Sequence, residues 1–400
     1  MSENLDKWKI RFGQIFQRLL GESGKNLEDY LYFLPTGFMP DIHSEESFKV
    51  IDLNIRRSLF DRYFSGDLPP VPALTQETAA RLDATLVLVP GFGHHLIKQR
   101  AFGDQISLFR DLGFNVVYAS YGNSFDSNKK CAERVYRILQ NELDTRQKLL
   151  FFTYSKGSPV IVEMLSDPGY AEVIQRTRAV VSFAGALRGS VLASSRTTEV
   201  TLRLLKAYRA FSQRSGSGAK LLKWMMGEMP RFQSHAFKEW NDLLEKVAEL
   251  AQDLADLPEG ITDLTRVTCE TNYAKARINR SVKLFSISAV YPEAEFKEGL
   301  RFITNPDDLF LYVSGRELYK HNVFNDTQIL LPDSEFFEGT GDITNLGIVK
   351  ADHWGIAMPR VFSRHYEDPF PRTEMLKAVL LVLDEYFGQL ANNPGMEDGK

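Results

Sequence analysis

The chain has 400 residues, room for two or three ordinary domains or for one α/β domain carrying an insertion. Apolar residues at 44% and charged residues at 25% exclude a disordered chain, and 48 basic against 52 acidic residues exclude the polycationic footprint of a nucleic-acid binder. Two cysteines, Cys131 and Cys269, exclude a disulfide framework and a Cys-x-x-Cys centre.

Residues 1–75 form a leader region. Its first twenty residues place Trp8, Ile10, Phe12, Ile15, Phe16 and Leu19 at helical spacing between charges. Charges through this stretch leave no secretory signal core, so a cytoplasmic location is expected. No apolar run reaches the ~18 residues of a spanning helix. The amphipathic leader helix is expected to dock on its own domain, with peripheral contact to a bilayer as its other use. SGDLPPVPALTQ, with three prolines, reads as a connector.

From Thr85 the pattern changes. TLVLVP, closed by PGFG, reads as a strand buried on both faces. AFGDQISLFRDLG follows as a helix with a glycine stop. NVVYAS, KLLFFT and RAVVSFAG are further short strands, separated by the helices NKKCAERVYRILQNEL and SPVIVEMLSD. Strand and helix alternating over short connections predict a mostly parallel sheet flanked by helices. Residues 191–280 break that rhythm and read almost wholly as helix, with apolar stripes in LLKWMMGEM and KEWNDLLEKVAELAQDLADL. VKLFSIS at 282–288 and LGIVKA at 346–351 return to the sheet, and MLKAVLLVLDEYFGQL closes it with a helix. The organisation is therefore a leader (1–75), a first core part (84–190), a helical insertion (191–280), a second core part (281–390) and a polar tail (391–400).

KLLFFT runs directly into Thr153-Tyr154-Ser155-Lys156-Gly157 and then a helix. A strand-to-helix turn of this kind holds a serine with Oγ pointing out of the sheet edge. Gly157 supplies the small residue after the serine; Thr153 departs from the glycine usual before it. The competing reading makes Ser155 a simple helix cap. A nucleophilic serine needs a base and an acid that orients the base, both on loops at the carboxyl ends of later strands. His353 follows the last strand and is the base expected. The acid lies between VKLFSIS and His353: Asp326 in Asn325-Asp326-Thr327 is preferred, with Asp333 in Pro332-Asp333-Ser334 as the alternative. Asp352, adjacent to His353, points away from it and is a poor partner. The oxyanion of a tetrahedral intermediate needs two N–H donors. Lys156 N–H comes with the turn, and Phe92 N–H, in Pro90-Gly91-Phe92-Gly93-His94, is the second.

Three other readings fail. Gly91-x-Gly93 follows a strand, but the third glycine of a dinucleotide loop would fall at Leu96. His94-His95 lacks metal-ligand spacing. GSGAK at 216–220 lacks the length and the hydroxyl residue of a phosphate loop. No cofactor and no metal is expected.

The order LVLVPGFG, TYSKG, VVSFAGALRGS, NDTQ, ADHWG, over residues 84 to about 390, resembles the α/β-hydrolase superfamily, nearest to serine esterases and lipases. The resemblance implies a nucleophile at Ser155, an acid at Asp326, a base at His353 and oxyanion donors at Phe92 and Lys156. It also implies that 191–280 is a cap over the site. The expected activity is hydrolysis of a carboxylic ester or thioester of a small-molecule or lipid-like substrate. Apolar residues of the cap (Trp224, Met225, Met226, Met229, Phe232) suggest a hydrophobic acyl group. Acyl transfer by the same triad, and a non-catalytic binding protein on the same fold, are the alternatives.

Overall fold

A computed structural model describes residues 2–32, 60, 63–64, 69–94, 100–194, 259–291, 296, 311, 314–359 and 370–392. Most of the helix-rich stretch, including both of its apolar stripes, the five cap residues named above and GSGAK, lies outside the described residues, as do His95 and the end of the tail.

Seven strands form one sheet. In chain order they are β1 (Leu31–Tyr32), β2 (Ala84–Val89), β3 (Val116–Tyr118), β4 (Lys148–Tyr154), β5 (Thr177–Phe183), β6 (Lys283–Val290) and β7 (Asp342–Lys350). Across the sheet the order is β1-β7-β6-β5-β4-β2-β3, and every pairing is parallel except β1 on β7. The described helices are α1 (Ser2–Glu22), α2 (Gln76–Leu82), α3 (Ile106–Asp111), α4 (Asn128–Glu142), α5 (Gly157–Ser166), α6 (Ala171–Arg176), α7 (Val191–Ser194), α8 (Glu259–Thr262), α9 (Arg266–Tyr273) and α10 (Arg372–Asn392).

Alternate residues of each central strand feed opposite cores, as the period-two geometry of a strand requires. Leu86, Leu88, Leu150, Phe152, Val181 and Phe285 pack with α1 and α10. Val87, Val89, Phe151, Val180 and Leu284 pack with α4, α5 and α9. This two-sided burial explains why TLVLVP and KLLFFT carry almost no polar residue.

The apolar stripe of α1 docks on the domain. Phe12, Ile15, Phe16 and Leu20 are fully buried, Trp8 lies 5.1 Å from Tyr386 between ring centroids, and Arg11 makes a two-pronged pair with Glu385 at 2.8 and 2.5 Å. No described helix is long and apolar enough to cross a membrane.

Three elements extend the sequence reading. β1 is only two residues, too short for a visible alternation, and pairs antiparallel with Ile348 and Val349. α2 follows the proline connector directly, where Thr75 N–H donates to Thr78 Oγ1 at 3.3 Å. β7 begins at Asp342 rather than at Leu346, its polar start held to β6 by an ion pair from Lys283 to Asp342 at 2.7 Å.

Because β2 and β4–β7 run in one direction, the loops after them meet at one sheet edge. That edge collects Pro90–His94, Ser155, Ala184, Tyr291 and Asp352–His353.

Candidate active site

β4 ends at Tyr154, and Ser155 takes φ 51°, a left-handed conformation rare for a side chain with a Cβ. The turn is fixed on every side. Ser155 N–H donates to Phe183 O at 3.3 Å, and Ser155 O accepts from Ser158 and Ala186 N–H at 3.1 Å each. A Cβ on Gly157 would stand 2.6 Å from Val89 O, and one on Gly91 would stand 2.8 Å from Ser155 Cβ. These two glycines let α5 and the loop after β2 close on the serine.

Thr153, the departure from the usual small residue, is fully buried. Its Oγ1 shares a hydrogen bond with Ser158 Oγ at 2.8 Å, and Ser158 Oγ shares another with Ser182 Oγ at 2.8 Å. The larger side chain is accommodated by a hydroxyl network behind the turn rather than by empty space.

His353 is buried at the end of the β7 loop. Its Nε2 lies 2.9 Å from Ser155 Oγ, and its Nδ1 lies 2.6 Å from Asp326 Oδ2. With Asp326 ionised, Nδ1–H donates to the carboxylate and Nε2 accepts from the serine hydroxyl. Three further contacts hold the ring. His353 N–H donates to Asp326 O at 2.6 Å, Tyr154 Oη–H donates to His353 O at 2.8 Å, and the Tyr154 ring lies 5.0 Å from the imidazole. Asp352 Oδ1 accepts from the Trp354 and Gly355 amides at 3.1 and 3.0 Å, so its carboxylate shapes the loop.

Asp326 divides its two oxygens. Oδ1 accepts from Gln328 and Ile329 N–H at 2.9 and 2.7 Å, and Oδ2 faces His353. It is both a turn aspartate bonding its own backbone and the partner of the histidine. Asp333 is buried elsewhere: its Oδ1 lies 3.1 Å from Arg266 Nη2, an ion-pair distance without good hydrogen-bond geometry. Burial pushes its carboxyl up to about 7, against the pull of Arg266 and Arg188.

Phe92 and Lys156 flank the serine at the sheet edge. Among the described residues no acceptor takes either N–H. The loop that carries Phe92 is braced from below: Tyr121 Oη–H donates to Pro90 O at 2.9 Å, and Gly93 N–H donates to Ser124 Oγ at 2.7 Å. His94 Nδ1 meets Gly91 O at 3.0 Å, a structural contact, and no group of three possible metal ligands occurs among the described residues. Beside this loop, Ala186, Leu264 and Ile329 form a buried apolar cluster against which Phe92 and Ala193 pack.

Tyr154, Tyr121 and Ser124 are site residues that sequence reading passes over. Tyr154 and Tyr121 look like ordinary apolar positions next to strands. Ser124 carries no spacing signal at all.

No family model and no curated protein matches the chain. Among solved structures, a metagenomic carboxyl esterase superposes with a TM-score of 0.57 at 20% identity, covering 94% of this chain and 91% of that one. Lipase 1 from Pelosinus fermentans superposes at 0.46 with 13% identity, over 74% of this chain and 98% of that one. An extracellular α/β-hydrolase from a Paenibacillus species reaches 0.33 at 14% identity, over 75% and 98%. The chain has the α/β-hydrolase fold.

Proposed function

We propose that this chain is a serine hydrolase that cleaves a carboxylic ester or thioester with an apolar acyl group. The observation that carries the reading is the unbroken chain from Ser155 Oγ to His353 at 2.9 Å and from His353 to Asp326 at 2.6 Å, set on a strained turn. His353 Nε2 takes the hydroxyl proton as Ser155 Oγ attacks the carbonyl carbon. Asp326 holds the imidazole in the tautomer that makes Nε2 the base, and it stabilises the imidazolium that forms. The Phe92 and Lys156 amides receive the oxyanion. His353 returns its proton to the leaving alcohol or thiol. It then deprotonates the water that releases the acid from the acyl-enzyme.

Phe92 and Ala193, partly buried on the cluster of Ala186, Leu264 and Ile329, present apolar surface beside the serine turn, which supports an apolar substrate group. A cap role for 191–280 is supported by two contacts near Phe92: Ser190 N–H donates to Leu264 O at 2.8 Å, and Gly260 N–H donates to Phe125 O at 2.8 Å. Residue 190 and residues 260–264 of the segment therefore stand beside the loop that carries Phe92.

The test is turnover of 4-nitrophenyl esters of graded chain length by the wild type and by Ser155→Ala. The variant is expected to keep its melting temperature and to lose at least about 10⁴-fold in kcat. A folded Ser155→Ala with full activity removes the serine from the mechanism.

A further inference from the structure

Lys156 does more than lend its amide. Its side chain is buried against the turn, and desolvation lowers its pKa. A buried ammonium is costly to keep, and a methionine would fill much of the same volume without that cost. The ammonium is held by backbone carbonyls: Nζ–H donates to Ser124 O at 2.7 Å and to Asp126 O at 2.6 Å. The Asp126 carboxylate is occupied by Arg134 at 2.6 Å. Nζ also lies 5.8 Å from the centroid of the Phe92 ring.

Those contacts join the two halves of the oxyanion site. Residues 124–126 are the segment on which the Phe92 loop rests, through Gly93 N–H on Ser124 Oγ and through Phe92 against Phe125 at 4.9 Å between centroids. The lysine that reaches this segment belongs to the turn that presents Ser155. A Cβ on Gly260 of α8 would collide with Nζ, so α8 packs directly on the same ammonium.

We propose that the Lys156 side chain is a positioning residue for the oxyanion site. It clamps residues 124–126 to the nucleophile turn and so sets the separation between the Phe92 and Lys156 amides. The proposal rests on the serine-hydrolase reading above. A loosened clamp costs transition-state stabilisation and leaves ground-state binding alone, because the oxyanion exists only after attack.

The experiment compares the wild type, Lys156→Met and Ser124→Ala. It measures kcat and KM on 4-nitrophenyl butyrate, affinity for an alkyl trifluoromethyl ketone that forms a tetrahedral oxyanion, and amide hydrogen exchange in segment 90–94. Lys156→Met is expected to lose about 10- to 100-fold in kcat with KM held within about twofold. Ketone affinity is expected to fall by the same factor as kcat/KM, and exchange to quicken at 91–94 but not in β4 or β5. Ser124→Ala is expected to move every readout the same way by less.

A folded Lys156→Met with kcat and exchange unchanged, or with its loss confined to KM, overturns the proposal. Should Lys156→Met fail to fold, Ser124→Ala decides, and wild-type kcat and exchange in that variant overturn it. A folded wild type that neither turns over esters nor reacts with a fluorophosphonate overturns the serine-hydrolase reading instead. The exchange comparison then judges the clamp alone.

Discussion

Two aspartates in the connection between β6 and β7 meet opposite fates. Asp326 and Asp333 are equally buried, at 1% and 0% exposure. Asp326 accepts two backbone amides on one oxygen and faces His353 with the other. Asp333 has a half-exposed arginine at ion-pair distance, and no donor among the described residues meets either oxygen in hydrogen-bond geometry. Its carboxyl is accordingly driven up to about 7. Burial alone does not make a carboxylate a useful acid partner. Donors aimed at the ionised form, and an imidazole placed to use it, do.

The sharpest way to break this contrast is to neutralise each aspartate in turn. Asp326→Asn is expected to cost about 10³- to 10⁴-fold in kcat with the fold intact, because the amide favours the wrong imidazole tautomer. Asp333→Asn is expected to change kcat by less than about threefold. Steady-state kinetics on one ester read both, and a reversed order of effects moves the acid to Asp333.

Asp333 also bears on stability. A folded pKa of about 7 against an ordinary 3.8 means that the native state binds more protons between those values. The contribution of this group is therefore full below about pH 4 and is lost as pH rises through about 7. Relative to Asp333→Asn, the wild type is expected to lose up to about 4 kcal/mol of unfolding free energy across that window. Urea unfolding of both proteins at pH 5 and pH 8 reads the part of it above pH 5, about 3 kcal/mol; parallel curves at the two values remove the buried-charge account.

A smaller effect tests the turn itself. Gly157→Ala places a Cβ 2.6 Å from Val89 O and is expected to cost about 1–3 kcal/mol, read as a lower urea midpoint. A neutral outcome means the turn has slack that the close packing of β2 and α5 does not suggest.

Much of this was legible in the residues. Strands buried on both faces announce themselves as unbroken apolar runs, and β2, β4 and β5 did so. The order serine, acid, histidine led to the expectation of Ser155 and His353 at one edge, with Asp326 preferred to Asp333 as the acid; the structure sets Asp326 Oδ2 2.6 Å from His353 Nδ1. What stayed hidden has physical reasons. β1 has two residues and no period. The start of β7 is polar because Asp342 is spent on Lys283. Asp326 and Asp333 sit in look-alike polar turns, and only the path of the chain decides which one reaches the imidazole. The braces under the loop that carries Phe92, Tyr121 and Ser124, act through backbone partners some thirty residues away in sequence. No local pattern encodes such a pairing.

Every step of the proposed reaction starts from Ser155 as an activated nucleophile. Fluorophosphonate labelling of the folded protein, with the modified peptide located by mass spectrometry, tests it most directly. A single adduct on Ser155 is expected in the wild type, and a much slower one in Asp326→Asn. An adduct on another serine, or none on folded protein even in mild detergent, contradicts it.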